Sequence, residues 1–250
     1  MTVLVGLYCT DGVVVGSDGS TTFLGAGNTR TIEQPSKKIH LIGESIILAS
    51  TGSIGLNQRF TEAVGKAWEN KHFWDLSAID FGKKLSAIGI NDFAETQTPK
   101  GDFGCLVAFP AMGKAHLCEL AVTDFQPELK NEKIWYCSMG SGQAIADPFL
   151  GFMRRIFWTE GPPKLSEGVF AVVWTLSHTI DVNPGSINEP IQVAVLEHAR
   201  GRLCARPVPD GELDEHRSAV GEAEESLRKW RDAIQESKPA ELPRPPRGRR

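Results

Sequence analysis

Thr2 is the residue of this sequence whose type and position are best suited to chemistry. Once Met1 is removed, Thr2 carries a hydroxyl and a free α-amino group, which is the nucleophile-plus-base pair of N-terminal threonine catalysis. The apolar runs on both sides of the Asp11–Gly12 turn pair predict a β-hairpin as a rigid support for it. Threonine in second place is also common in ordinary cytosolic proteins, so Thr2 indicates catalysis only together with other suitable residues in the chain.

Composition and charge exclude several classes of function. The chain has 250 residues, of which 41% are apolar and 23% charged, as in ordinary soluble globular proteins. A formal charge of −4 gives no electrostatic basis for binding nucleic acid or an anionic membrane. The N-terminus lacks a signal-peptide pattern, and no run of about 18 apolar residues occurs. We therefore expect a cytoplasmic protein that binds neither nucleic acid nor membrane.

The cysteines and histidines do not form recognisable ligand motifs. The five cysteines show no CxxC spacing and the six histidines no HxxxH or HxH spacing. Four cysteines lie in apolar, strand-like runs, which favours a reducing compartment. Neither a Walker A sequence nor a GxSxG elbow is present. We expect no metal and no cofactor.

The hydrophobic pattern predicts groups of strands that alternate with pairs of helices. Strands through residue 51 precede two helices, which begin at Ser53 and near Leu76, and strands in 103–137 precede two more, which begin at Ser141 and Ser166. This order favours two antiparallel sheets over alternating parallel βαβ units. The expected fold class is α+β, a four-layer α-β-β-α sandwich.

The composition divides the chain into three parts. Residues 1–209 are expected to form the sandwich domain, and residues 239–250 a disordered, basic tail rich in Pro and Arg. Residues 210–238 are predicted to form a charged C-terminal helix. One apolar seam at multiples of seven residues indicates that this helix docks on something, and its members are Leu213, Val220, Leu227 and Ile234.

Five segments together resemble the β-type subunits of the proteasome, which are N-terminal nucleophile hydrolases. They are Thr2, Asp11-Gly-Val-Val-Val-Gly-Ser-Asp18, Lys37-Lys-Ile-His40, Ser50-Thr-Gly-Ser53 and Met139-Gly-Ser-Gly-Gln-Ala144. The resemblance covers residues 2–197 and includes the bacterial HslV branch. Among bacterial relatives the sequence is similar to Anbu and to the β-proteobacterial proteasome homologue. The fold that the resemblance implies agrees with the one expected from the hydrophobic pattern.

The resemblance implies roles for six residues: Thr2 as nucleophile, Asp18 and Lys38 as its polar support, Gly52 as oxyanion donor, and Ser141 and Asp181 as the groups that hold the amino end. These roles agree with physical chemistry. A nearby ammonium lowers the pKa of an α-amine from its usual value of about 7.7–8.0, and a carboxylate keeps a buried lysine charged. Each residue also has an ordinary structural interpretation, as a turn residue, a strand-edge charge or a glycine before a helix.

The sequence departs from the family pattern at two places. Pro184 stands where the family usually has a serine three residues after the aspartate, and Ser186 is a candidate replacement for that serine. The segment between Asp18 and Lys38 is longer than usual and lies beside the expected substrate pocket. The candidate pocket residues are Thr21, Ser50 and Ile54.

The resemblance implies a self-compartmentalising threonine endopeptidase. Its substrates would be peptides or unfolded proteins, and it would be a homo-oligomer of two stacked rings with six or seven subunits each. Phe149, Phe152, Phe157 and Trp158 form an aromatic stretch suited to interface contacts. A nucleotide-driven partner, such as an ATPase, would be a separate chain. Two alternatives stay open: a catalytically silent ring scaffold, and an N-terminal nucleophile amidase that acts on a small molecule.

Overall fold

A computed structural model describes residues 2–24, 30–96, 103–183 and 187–236, with side chains except at 22–24, 30–31 and 235–236. The strands of the first half are β1 Leu4–Cys9, β2 Gly12–Ser17, β3 Ser20–Leu24, β4 Arg30–Pro35, β5 Ile39–Ile42 and β6 Ile46–Gly52. Those of the second half are β7 Phe103–Ala111, β8 Lys114–Leu120, β9 Pro127–Leu129, β10 Tyr136–Met139, β11 Gln192–Ala199 and β12 Arg202–Pro207. The helices are α1 Ile54–Glu69, α2 Ala78–Glu95, α3 Gln143–Phe157, α4 Leu165–Val182 and α5 Asp210–Glu236.

Two five-stranded antiparallel sheets form the centre of the fold. Their strand orders are β10-β1-β2-β11-β12 and β5-β6-β7-β8-β9, and β3 pairs with β4 as a separate hairpin. Helices α3 and α4 pack on the first sheet, and α1 and α2 on the second. The predicted four-layer α-β-β-α sandwich of the N-terminal nucleophile hydrolase type is confirmed.

Burial of apolar side chains holds these layers together. The core between the two sheets includes Leu4, Val15, Ile47 and Leu106, all fully buried. The core under α1 and α2 is aromatic, with buried rings from Phe60, Phe81, Phe93, Phe103, Phe109 and Phe125. Each fully buried large apolar side chain contributes about 1.5–3 kcal/mol relative to exposure. The sheets therefore provide a rigid base for any residue at their ends.

The register of β1 determines what surrounds Thr2. Leu4 lies opposite Ser17 on β2 and opposite Met139 on β10. Because β1 is antiparallel to both neighbours, its first residues lie beside the end of each neighbouring strand. Thr2 is therefore placed between Asp18 and the Gly140–Gly142 turn.

Two element boundaries differ from the predictions for residues 103–142. The last of the strands predicted within 103–137 lies at Tyr136–Met139 and ends two residues later than predicted. A turn precedes it, in which the Asn131 side chain accepts the Lys133 and Ile134 N–H groups. The helix predicted to begin at Ser141 begins at Gln143 with Gly142 as N-cap. The Ser141 hydroxyl hydrogen-bonds to Thr2 and is not used as the helix cap.

The C-terminal helix packs on the body along half of its predicted seam. Leu213 and Val220 are buried in the core beside α4, whereas Leu227 and Ile234 are 54% and 53% exposed. The predicted tail, residues 239–250, lies outside the described residues. Among the residues that are described, no helix has the length and apolar character needed to cross a membrane.

Candidate active site

The Thr2 hydroxyl lies against a buried ion pair. Lys38 Nζ donates to Thr2 Oγ1 at 3.1 Å and to both carboxylate oxygens of Asp18 at 2.8 Å. Asp18 is 0% exposed and Lys38 6% exposed. The structure thus brings Thr2, Asp18 and Lys38 together from positions just before β1, just after β2 and just before β5.

Asp18 is held by backbone and side-chain donors as well as by Lys38. Its Oδ1 accepts the Val3 N–H at 2.9 Å, and its Oδ2 accepts the N–H and the hydroxyl of Ser20, each at 3.4 Å. The Asp18 N–H in turn donates to the Val3 carbonyl at 3.3 Å. Ser20 was not singled out from the sequence, although a hydroxyl two residues after an aspartate often shares a turn with it.

Burial makes the charge of Lys38 depend on Asp18. Desolvation lowers the pKa of the Lys38 ammonium from its ordinary value, while the charge and hydrogen bonds of Asp18 oppose that change. A lysine with a lowered pKa that remains next to a carboxylate can carry a positive charge beside Thr2 in a closed site. Perturbed lysines of this kind concentrate at functional sites.

The amino side of Thr2 contacts the turn before α3. The Thr2 N–H donates to Ser141 Oγ at 3.1 Å, and the Thr2 carbonyl accepts the Gly142 N–H at 3.2 Å. Gly140 has a positive φ of 90°, and a Cβ at this position would lie 2.3 Å from the Thr2 carbonyl oxygen. Only glycine fits such a close approach. The Gly-Ser-Gly turn is therefore shaped around the backbone of Thr2.

The second residue expected on the amino side is Asp181. Asp181 is exposed in the last turn of α4, and no hydrogen bond joins it to Thr2 in the described part of the chain. The role of Asp181 stays a prediction. Pro184 and Ser186 lie outside the described residues.

Beside Thr2 is a cavity of about 280 Å³. Gly52 lines this cavity at the end of β6, with a positive φ of 101°, directly before the Ser53 cap of α1. A backbone N–H at this place is close to the positive end of a helix dipole. The cavity is also lined by all three of the candidate pocket residues, Thr21, Ser50 and Ile54.

None of the five cysteines lines this cavity, and four of them are buried. Burial raises the pKa of Cys9, Cys105 and Cys137 well above the usual thiol value and raises that of Cys118 to about 12. These thiols stay protonated and unreactive at neutral pH. Within the described ranges, no three potential metal ligands cluster together.

The four-layer sandwich places this chain among the proteins with the N-terminal nucleophile hydrolase fold. Residues 2–155 match the Proteasome family profile, described as proteasome subunit. The match covers more than half of the chain, and the chain belongs to this family. A sequence comparison with curated proteins found no match.

Solved structures of Anbu share the fold over nearly the whole chain. A mutant Anbu from Hyphomicrobium sp. has a TM-score of 0.72 and 14% identity, covering 97% of this chain and 99% of that one. Anbu from Pseudomonas aeruginosa, described as a helical assembly of the Anbu complex, has a TM-score of 0.71 and 14% identity, covering 96% and 98%. Anbu from Yersinia bercovieri, described as an ancestral β-subunit, has a TM-score of 0.66 and 14% identity, covering 96% and 99%. The similarity to Anbu expected from the sequence is confirmed for the fold.

Proposed function

We propose that this chain is a threonine endopeptidase whose nucleophile is Thr2, freed by removal of Met1. The observation that carries the proposal is the Lys38 ammonium, 3.1 Å from Thr2 Oγ1 and paired with fully buried Asp18. A buried ion pair is costly to desolvate and is a poor way to stabilise a fold. Its contact with the Thr2 hydroxyl supports a chemical role.

The contacts support one sequence of proton transfers. The free α-amine takes the proton of Thr2 Oγ1 as the oxygen attacks the peptide carbonyl carbon. The Gly52 N–H stabilises the oxyanion, and the protonated amine gives its proton to the leaving amine. The resulting ester is cleaved by water, which the same α-amine deprotonates. Lys38 lowers the pKa of the amine so that it is neutral near physiological pH.

Assembly into a closed chamber is part of the proposal. An unselective peptidase endangers other chains unless its sites face an enclosed space, and the family resemblance favours two stacked rings of six or seven subunits each. Exposed apolar residues in the second half of α3 support an interface there: Phe152 at 42%, Ile156 at 53% and Phe157 at 48%. The Anbu complex from P. aeruginosa was solved as a helical assembly, which is the competing geometry.

The exposed position of Asp181 favours one alternative, a catalytically silent scaffold. A subunit without a second group at its amino side would assemble but not cleave. The other alternative, a small-molecule amidase, differs from a peptidase in substrate length, so peptides of increasing length distinguish them. A small-molecule amidase would hydrolyse only the shortest of these peptides.

The test combines intact mass with covalent labelling. A peptide epoxyketone reacts with hydroxyl and α-amine together, so the wild-type chain lacking Met1 should gain one adduct per subunit. Thr2→Ala should gain none and should not hydrolyse fluorogenic peptides, whereas Thr159→Ala, at an exposed threonine, should match wild type. Retained Met1, or equal turnover in Thr2→Ala, would reject the mechanism. Light scattering that gives a mass of one or two subunits would reject the chamber.

A further inference from the structure

Gln192, the first residue of β11, binds the backbone that carries Lys38. Its Oε1 accepts the Lys38 N–H at 3.0 Å and the Ile39 N–H at 3.4 Å, and its Nε2–H donates to the Ser36 carbonyl at 2.6 Å. One half-buried side chain thus bonds three backbone groups of a four-residue segment.

This segment leads into the edge of the second sheet. Lys38 lies one residue before β5, and β5 is the edge strand of the second sheet, whose first pair is Ile39 with Ala49. An edge strand has unpaired N–H and C=O groups along its outer side. Gln192, which comes from the first sheet, supplies the donor and the acceptor that a neighbouring strand would have provided.

The chain just before Gln192 also supports the segment next to Asp18. The Gly19 N–H donates to the Asn188 carbonyl at 3.0 Å, and the Ser36 N–H donates to the Gly19 carbonyl at 2.9 Å. A Cβ at Gly19 would lie 2.1 Å from the Pro190 carbonyl oxygen, so the two segments are in direct contact. Both members of the buried ion pair therefore depend on the segment that ends at Gln192.

We propose that Gln192 is a positioning residue, which acts through Lys38 on the α-amine of Thr2; this inference rests on the proposed threonine mechanism. Lys38 Nζ lies 2.8 Å from Asp18 and 3.1 Å from Thr2 Oγ1, and a shift of the Lys38 backbone would change the position from which Nζ reaches both partners. A displacement of about 1 Å far from the chemistry can reduce a rate by about 10²-fold. Gln192 is absent from the cavity lining, so its loss should change kcat more than KM.

A pH profile separates positioning from a merely structural role. The mechanism needs a neutral α-amine, so activity falls as pH drops through the pKa of the amine. If Lys38 moves away, its positive charge depresses this pKa less, and the acid limb of the profile moves to higher pH. In contrast, a substitution that only destabilises the fold lowers the number of active molecules, and the acid limb of the activity profile stays at the wild-type pH.

Two variants and one control carry the experiment on the full-length chain. Gln192→Leu removes donor and acceptor at similar volume, and Gln192→Glu keeps an acceptor for the Lys38 N–H but loses the donor to Ser36. We expect the Leu variant to lose about 10–100-fold in kcat with KM within about twofold, with the acid limb raised, and the Glu variant to be intermediate. Gln126→Leu, at an exposed amide in the turn before β9, should match wild type.

The outcomes distinguish this inference from the proposed function. An unchanged acid limb and kcat in Gln192→Leu would overturn the positioning role, and should that variant fail to fold, Gln192→Glu is judged by the same two quantities. Wild type that neither cleaves peptides nor reacts with the epoxyketone would reject the threonine mechanism instead. In that case a crystal structure of Gln192→Leu tests the inference. A distance from Lys38 Nζ to Thr2 Oγ1 still near 3.1 Å would overturn it, and a longer distance would support it.

Discussion

The hydroxyl side and the amino side of Thr2 differ in burial. On the hydroxyl side, Lys38 and Asp18 form an ion pair that is nearly closed to solvent. On the amino side, Ser141 is exposed and Asp181 is exposed without a hydrogen bond to Thr2 among the described residues. Water can replace an exposed hydroxyl but cannot replace a buried charge. The comparison therefore predicts that substitutions on the hydroxyl side of Thr2 reduce activity strongly and that substitutions on the amino side reduce it less.

Removing Lys38 should have the largest effect. Lys38→Met removes the ammonium that lowers the pKa of the Thr2 amine, and we expect peptide hydrolysis at pH 7 to fall by about 10²–10⁴-fold. The measurement is kcat/KM on a fluorogenic peptide, with Lys133→Met, at an exposed lysine, as the control. Wild-type activity in Lys38→Met would remove this residue from the site.

Neutralising Asp18 should come next and has a distinct pH signature. Burial lowers the pKa of Lys38 and Asp18 opposes that change, so in Asp18→Asn the pKa falls further. Lys38 then loses its proton at a lower pH, and the alkaline limb of the activity profile moves to lower pH. Loss of a buried partner should also reduce the free energy of unfolding by about 3–5 kcal/mol, measured by urea denaturation. An alkaline limb at the wild-type pH would show that Asp18 does not control the charge of Lys38.

Ser141→Ala should have an intermediate effect. The variant loses the acceptor for the Thr2 N–H, but solvent can reach this position and supply a water in its place. One hydrogen bond of about 1–1.5 kcal/mol corresponds to a loss of about tenfold in rate. A loss as large as that of Lys38→Met, with assembly intact, would mean that the amino side is as sensitive as the hydroxyl side.

Asp181→Asn should have the smallest effect. The side chain is exposed and no hydrogen bond connects it to Thr2 within the described chain, and surface substitutions usually change stability by less than about 0.5 kcal/mol. We expect activity within about twofold of wild type, measured beside Asp214→Asn, which alters an exposed carboxylate on α5. A tenfold loss of activity would support the role that the family resemblance assigns to Asp181. It would also show that the amino side of Thr2 is more sensitive than the burial of its residues predicts.

Much of the fold could be predicted from local patterns in the sequence. The Asp11–Gly12 turn between apolar runs, the Ser53 cap and the helical spacing of apolar residues each depend on neighbours within a few positions. The order of these elements then limits the layer architecture to few choices. Boundaries were less predictable, as at Ser141, whose hydroxyl contacts Thr2 in preference to capping α3.

The candidate nucleophile and the two residues of its ion pair could be named from the sequence and its family resemblance, whereas the side chains that support them depend on long-range contacts. Thr2 stands out by its residue type and its position, whereas Asp18 and Lys38 were singled out through the resemblance to proteasome β-type subunits, which elementary chemistry then supports. The sequence did not identify Gln192, since an isolated glutamine carries no pattern and its partner Lys38 lies 154 positions away. Only the packing of one sheet on the other decided which amide meets the edge strand. The exposure of half of the α5 seam is likewise a property of the tertiary structure, set by how far α5 packs beside α4.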